Sequence, residues 1–299
     1  MGHTPSFSGL FPALATPFRE GLLDEGAFKT HLEWLCTHAL KGVVVAGTTG
    51  ESLTLTQTEK ANLLTWARAI VKAPQKLIAG IALPHYKAVL LEAQSAESCG
   101  ADALLVLPPY YVRADTKALE DFFINLHQHT SVPLIVYNNP GRLGFELSET
   151  LIKRLSTYPR ILGLKEASPH LNRLLSFINL KTDWGLLSGD DITFPAFLSM
   201  GGHGIISVGA NIAPHLYGDL ITAFANNDLV GFKNSTEKLH LLHQALYCAP
   251  NPAPLKTALA LRGWCGEEMR VPLSFLNQEE RENLRHVLDS LGVAKNPSK

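Results

Sequence analysis

The stretch Ile161-Leu162-Gly163-Leu164-Lys165-Glu166-Ala167-Ser168 sets a lysine at the end of a short apolar run. Read as a strand, residues 161–165 put Ile161, Gly163 and Lys165 on one face and Leu162 and Leu164 on the other, because side chains alternate with period 2. The lysine then shares its face with almost no bulk. An amine in dry surroundings loses proton affinity, since desolvation disfavours the charged form, and a neutral amine attacks carbonyl carbon to give a Schiff base. Taken alone, this lysine reads more simply as a strand end that reaches water along its alkyl stem. The rest of the chain decides between the two.

Working outward, the same kind of run recurs along the first two-thirds of the sequence. The runs are Phe11 to Phe18, Gly42 to Ala46, Lys76 to Ala82, Ala103 to Leu107, Pro133 to Tyr137, Ile161 to Lys165, Gly185 to Ser188 and Gly204 to Val208. Each is followed by a stretch of helical periodicity, and such alternation implies a parallel sheet. Eight repeats in a chain of 299 residues predict an α/β fold, a (β/α)8 TIM barrel rather than an open doubly wound sheet. The helical stretches carry local signals: a capping box at Thr56-Gln57-Thr58-Glu59, a stripe of Leu119, Phe122, Phe123 and Leu126, and expected N-caps in the Asp115-Thr116 region and at Ser148 and Asp191. Beyond about residue 226 only helical patterns remain, the clearest running from Asn277 to Leu291 with Gly292 as its stop. The expectation is a catalytic barrel over 1–225 and a helical appendage over 226–299, with Pro250-Asn251-Pro252-Ala253-Pro254 as punctuation and not as a linker between folded units.

Composition narrows the function classes. Basic and acidic side chains number 26 and 27, for a net charge of 26 − 27 = −1, so nothing steers the chain to nucleic acid or an anionic membrane. No apolar run reaches the roughly 18 residues of a membrane span. Cys36, Cys99, Cys248 and Cys265 are scattered without a C-x-x-C pair or a preceding signal-like segment, which reads as reduced thiols in the cytoplasm. Met1-Gly2-His3-Thr4-Pro5-Ser6 matches a loose lipidation pattern, but no polybasic segment follows to give a second anchor. The 12 histidines fall in no H-x-H or H-E-x-x-H spacing, so neither metal nor organic cofactor is expected.

A barrel keeps its chemistry at the C-terminal ends of its strands. The unusual residues fall there: Gly47-Thr48-Thr49-Gly50-Glu51-Ser52, Pro108-Pro109-Tyr110-Tyr111, Tyr137-Asn138-Asn139-Pro140-Gly141-Arg142, Lys165-Glu166 and Ser188-Gly189-Asp190-Asp191. Glycines around Thr48 and Thr49 let backbone N–H groups and hydroxyls turn toward a carboxylate, though the stretch also reads as a tight turn. Tyr137 is either a proton-relaying phenol or core filler, and Arg142 either a carboxylate fork or a solvated loop side chain. That all these features take their bland reading at one barrel mouth is the less economical account.

Together these motifs resemble the dihydrodipicolinate synthase and N-acetylneuraminate lyase family of class I, pyruvate-dependent aldolases, in order and spacing from about Gly9 onward, more loosely after about 225. The resemblance implies that Lys165 forms the Schiff base with pyruvate and Tyr137 transfers protons above it. Thr48 and Tyr111 would complete the relay, Tyr111 reaching in from the neighbouring subunit. It further implies that Thr48 and Thr49 hold the pyruvate carboxylate, that Ile206 lines the site, and that the Gly189 carbonyl meets the second substrate. A homotetramer built as a dimer of dimers is the implied assembly. Arg142 stands where the synthase branch grips the carboxylate of L-aspartate 4-semialdehyde on the way to lysine and diaminopimelate. The sugar-acid branch (N-acetylneuraminate lyase, 2-keto-3-deoxy sugar acid aldolases) generally lacks that arginine. Lysine-inhibited members carry histidines, an asparagine and a glutamate where this chain has Gln57, Lys60, Pro84 and Ala88, with only Tyr110 fitting, so weak or absent lysine feedback is expected. Two other readings differ in class: a phosphate-binding barrel using Gly201-Gly202-His203-Gly204, and a catalytically silent barrel serving as a binding module.

Overall fold

A computed structural model of the chain describes residues 5–180 and 183–297. Residues 1–4 of the lipidation-like pattern lie outside the described residues. Eight parallel strands form one sheet: Gly9–Pro12 (β1), Gly42–Val45 (β2), Lys76–Ile81 (β3), Ala103–Val106 (β4), Leu134–Asn138 (β5), Ile161–Glu166 (β6), Gly185–Ser188 (β7) and Gly204–Ser207 (β8). Their order is β1-β8-β7-β6-β5-β4-β3-β2, and an Ala13–Val44 bridge brings β1 back to β2, so the barrel is nearly closed. Covered by helices outside and packed side chains inside, these strands read as unbroken apolar runs because both faces are buried. Val43, Val44 and Val45 are each at most 1% exposed.

The first predicted strand needs correction. The apolar run through Phe18 is not one strand. It ends at Pro12, while Phe18–Arg19 pairs antiparallel with Leu22–Leu23 in a separate hairpin. Glu20 and Gly21, at φ 53° and 79°, form the two-residue turn whose left-handed backbone matches the twist of a hairpin. Elsewhere strand ends move by a residue or so: β6 runs on to Glu166 and β8 stops at Ser207.

Local signals act largely as read. Thr56 and Glu59 form a reciprocal capping box on Gln57–Ile70, Asp115 accepts from Ala118 N on Thr116–Gln128, and Ser148 caps Glu149–Leu155. Leu119, Phe122, Phe123 and Leu126 are buried, each such side chain contributing roughly 1.5–3 kcal/mol. After β6 the described chain makes only a 3₁₀ turn, Leu171–Ser176, in place of an α-helix. Asp191 is not the N-cap expected of it. The helix Phe194–Ser199 starts after Thr193, whose N–H and hydroxyl both bond to Asp190, and Asp191 is buried as the acceptor of Ser207 Oγ and Tyr217 Oη.

Three helices follow the barrel: Leu229–Leu246, Ala253–Leu261 and Gln278–Ser290, the last capped by an Asn277/Glu280 box. They fold back onto the mouth. Lys256 donates to Glu51 at 2.6 Å with both side chains fully shielded, Arg270 N bonds the other Glu51 oxygen at 3.0 Å, and Asn251 donates to Thr49 at 3.1 Å. No helix among the described residues is long and apolar enough to cross a membrane.

Candidate active site

The strand ends converge on a cavity of about 190 Å³ at the C-terminal mouth of the barrel. Lys165 and Tyr137 face each other across the β5–β6 ladder as register partners. Lys165 Nζ lies 4.3 Å from the centroid of the Tyr137 ring, and each residue is only 7% exposed. The alternation that sends Lys165 into the cavity sends Glu166 the other way, against Asn138 Nδ2 at 2.7 Å, Ser168 N at 2.8 Å and Arg173 Nε at 3.3 Å. Burial raises the Glu166 carboxyl above its ordinary range despite those donors. Asn138 is tied in turn to Leu147 N, so the strand ends carrying Lys165 and Tyr137 are cross-braced from behind.

Tyr137 receives a hydrogen bond from Asn139 Nδ2 at 2.8 Å. Burial pushes its phenol upward, but the Lys165 cation, the Asn139 amide and the Arg142 charge together outweigh burial and hold it below the ordinary tyrosine value. Asn139 does two jobs, since its Oδ1 also accepts from Arg142 N at the start of the short helix Pro140–Leu143. One amide thereby links the phenol to the turn that presents Arg142. The Arg142 side chain lines the cavity, and its guanidinium has no bonded partner among the described residues.

The Thr48-Thr49 turn stands over the cavity on a backbone with Ala46 at φ 54° and Glu51 at φ 55°. The close approach behind it demands a glycine: a β-carbon at Gly80 on β3 would lie 2.7 Å from Ala46 O and from Gly47 Cα. The turn is held from outside by Glu51, and burial pulls Lys256 below its ordinary lysine value while the Glu51 charge opposes the shift. This brace spans about 200 positions in sequence, and only the oddity of a lysine amid Ala253-Pro254-Leu255 hinted at it.

Of the residues singled out from sequence, Lys165, Tyr137, Thr48, Thr49, Arg142 and Gly189 line one cavity. Two do not. Ile206 is buried inside the barrel at 2% exposure and is absent from the lining, where Val208 stands instead, because β8 ends at Ser207 and the following residue turns over the mouth. Tyr111 lies outside the cavity, 98% exposed and at φ 71°. A second cavity of about 330 Å³ shares Thr48, Arg142 and Asn251 with the first and adds Leu53, Tyr110 and Leu273. Four further residues line the first cavity: Asn139 and Asp190, quoted from sequence at the mouth without a role of their own, Asn251, read only as part of the Pro-rich punctuation, and Tyr247, which the sequence reading missed. Lys60, noted from sequence as a departure from the lysine-inhibited pattern, pairs with Glu92 at 2.6 Å, and both are buried. Among the described residues, no three of His, Cys, Asp and Glu are grouped as metal ligands.

An amine, a depressed phenol, paired hydroxyls and a free guanidinium in one enclosed space suit covalent chemistry on a small keto acid. The model of the dihydrodipicolinate synthetase family matches residues 6–291. The chain belongs to that family. A relative named 4-hydroxy-tetrahydrodipicolinate synthase, from Thermodesulfovibrio yellowstonii, is 36% identical over 290 residues, covering 97% of this chain and 100% of the relative. The dihydrodipicolinate synthase of Aquifex aeolicus superposes with a TM-score of 0.93 at 32% identity over 97% of this chain and 99% of its own. A solved structure described as the first monomeric dihydrodipicolinate synthase variant gives the same TM-score at 30% identity, over 96% of this chain and 98% of its own. Family membership places the barrel and its C-terminal helices within a known architecture, and the braces of Glu51 and Glu166 account for how this chain holds the strand ends in place.

Proposed function

We propose that the chain is a 4-hydroxy-tetrahydrodipicolinate synthase, condensing pyruvate with L-aspartate 4-semialdehyde in the route to diaminopimelate and lysine. The observation that carries this reading is the Lys165 amine held 4.3 Å above the Tyr137 ring in a cavity shared with the unpaired Arg142 guanidinium. The amine adds to the C2 carbonyl of pyruvate, and the resulting carbinolamine loses water to leave an imine. Removal of a C3 proton gives an enamine, whose C3 attacks the aldehyde carbon of the second substrate. Each step moves a proton, and the phenol of Tyr137 is the group in reach to carry it. Thr48 and Thr49 offer N–H and hydroxyl donors to the pyruvate carboxylate. Arg142 is the fork for the carboxylate of the aldehyde, which favours this substrate over sugar-derived aldehydes.

In this reading residues 1–225 form the catalytic barrel and 226–299 a helical region that walls one side of its mouth. The enzyme works in the cytoplasm as a homo-oligomer, a dimer of dimers in which Tyr111 of one copy completes the relay of the next. What supports this is a fully exposed aromatic held in the left-handed backbone region, an uncommon conformation that a partner surface would compensate.

Mass spectrometry after borohydride treatment with pyruvate tests the chemistry. A pyruvate-derived adduct on Lys165, lost in Lys165→Ala, is expected, and no adduct on folded protein overturns the aldolase reading. Consumption of L-aspartate 4-semialdehyde with pyruvate then tests the second substrate, and light scattering of the intact protein tests the assembly.

A further inference from the structure

Two asparagines follow Tyr137, and strand alternation gives them different surroundings. Asn138, fully buried, ties β5 to its neighbours by giving Nδ2 to Glu166 at 2.7 Å and accepting from Leu147 N at 3.1 Å. Asn139 carries an extended backbone one residue past β5, and with Tyr137 two positions earlier it lines the cavity. What it touches fixes the orientation of its amide. Arg142 N, at 3.2 Å, can only donate, so the atom facing it is Oδ1, and the atom facing Tyr137 Oη at 2.8 Å is the Nδ2 donor.

A phenol oxygen that accepts from an amide still has its own proton to give. That proton cannot point at Asn139, so it turns to the rest of the cavity, where Lys165 lies. In the step this serves, the phenol proton passes to the carbinolamine hydroxyl and the C–O bond breaks to release water. The nitrogen lone pair completes the C=N bond, and a phenolate is left beside the resulting cation. The phenolate then takes a C3 proton, which gives the enamine and restores the phenol. A donor on the phenol oxygen favours the charged intermediate of this cycle. Burial pushes the Tyr137 phenol upward in the free site, and the Asn139 amide, after the Lys165 charge, is among the groups that bring it below the ordinary tyrosine value.

We propose that Asn139 is a positioning residue for proton transfer: by occupying the Tyr137 oxygen, its amide directs the phenol proton toward the adduct on Lys165. This rests on the function proposed above and adds to it a residue whose two roles can be separated. Oδ1 caps the short helix Pro140–Leu143, which Asp and Ser do about as well as Asn. Nδ2 serves Tyr137, and neither of those side chains replaces it. In Asn139→Asp the carboxylate keeps the bond from Arg142 N but offers the phenol an acceptor, so the hydroxyl proton turns away from the adduct. Asn139→Ser keeps a cap without adding charge, and its hydroxyl, one atom shorter, leaves the phenol oxygen without its donor.

The test follows formation of the pyruvate adduct by borohydride trapping over time, from about pH 7 to about pH 10, in wild type, Asn139→Asp and Asn139→Ser, each with and without Tyr137→Phe. Asn139→Ser is expected to slow trapping by about tenfold and Asn139→Asp by about a hundredfold, within what one general acid supplies. The pH above which the rate falls as the phenol ionises should be higher in Asn139→Asp than in wild type, because a carboxylate beside the phenol opposes its ionisation. In the Tyr137→Phe background neither substitution should slow trapping further, since both act through the phenol. A residue that served only as a cap would leave all three readouts unmoved. Trapping at the wild-type rate in both variants, or slowing that persists undiminished with Tyr137→Phe, overturns the proposal. Should Asn139→Asp fail to fold, Asn139→Ser decides alone by the same two criteria. A folded wild type that forms no adduct overturns the aldolase reading itself, a result distinct from wild-type rates in the variants.

Discussion

Gly189 lies against the side chain of Lys165: a β-carbon there would stand 2.9 Å from Lys165 Cε, 3.1 Å from its Cγ and 2.7 Å from Ala167 Cβ. The absence of a side chain at Gly189 leaves the space that the Lys165 stem occupies on its way to the Tyr137 ring. Gly189 therefore shapes the position of the amine, in addition to any contact its carbonyl makes with substrate. Gly189→Ala should displace the amine by a few tenths of an ångström to about 1 Å, and a misplacement of that size costs up to about 10²-fold in rate. Overpacking costs about 1–3 kcal/mol in stability. The expected result is a folded protein with slowed adduct formation, read by borohydride trapping over time. Trapping at the wild-type rate counts against the relationship.

The Glu51–Lys256 pair yields a second prediction, because both partners are fully shielded from solvent. Lys256→Met removes the cation and strands the carboxylate, which costs about 3–5 kcal/mol, whereas replacing both partners by neutral groups is much less damaging. Lys256→Met should therefore unfold at lower denaturant than Glu51→Gln/Lys256→Met. The double variant should still lose activity, since Glu51 adjoins the turn that carries Thr48 and Thr49 and accepts from Arg270 N as well. Denaturation midpoints and adduct yield, measured on both variants, check the two halves separately.

A third concerns feedback. The site at which the family resemblance would seat free lysine holds an internal ammonium and carboxylate instead: Lys60 and Glu92 lie 2.6 Å apart at 5% and 8% exposure. Burial raises the Glu92 carboxyl, and the Lys60 charge opposes the shift. One oxygen of that carboxylate is already taken by Lys60, whose cation disfavours a second amine beside it, and Pro84 and Ala88 supply no other carboxylate. Millimolar lysine is expected to leave the rate unchanged in a steady-state assay. Inhibition at sub-millimolar lysine would contradict it.

Much of this architecture was legible because parallel barrel strands are buried on both faces and announce themselves as apolar runs, with helix caps at Thr56, Asp115 and Ser148 marking the gaps. The site residues were legible for a related reason: Lys165, Tyr137 and Arg142 are chemically out of place at the ends of such runs. What escaped were pairings between distant segments. Nothing in periodicity joins Glu51 to Lys256 or Asp191 to Tyr217, and two adjacent aspartates look alike until Thr193 is seen to take one and Ser207, Tyr217 and Tyr247 the other. Ile206 and Val208 were likewise indistinguishable without knowing that β8 stops at Ser207.

The last prediction follows from His31, which is 4% exposed with its ring near Trp34 and Trp264, ring centroids 5.9 and 5.6 Å away. Its Nε2 lies 2.7 Å from the Asn211 carbonyl oxygen, which can only accept, so Nε2 carries the proton of the neutral ring. Burial lowers its pKa to about 4, against 6.5 for an unhindered imidazole, and the Asn211 bond only partly opposes the shift. The unfolded chain therefore binds a proton at this residue before the folded chain does. Stability contributed by the neutral ring is complete above pH 6.5 and falls as the pH drops toward 4, by about 3 kcal/mol in all at 1.36 kcal/mol per pKa unit. His127, His203, His215 and His243 are shifted the same way by burial and add to the wild-type slope. The difference between wild type and His31→Gln, whose amide can still donate to Asn211, isolates the one residue. Denaturant unfolding at pH 7.0, 5.5 and 4.0, chosen to span the roughly 2.5-unit window between the two pKa values, should show the wild type losing more stability than the variant. Parallel losses in the two proteins would place the acid sensitivity elsewhere.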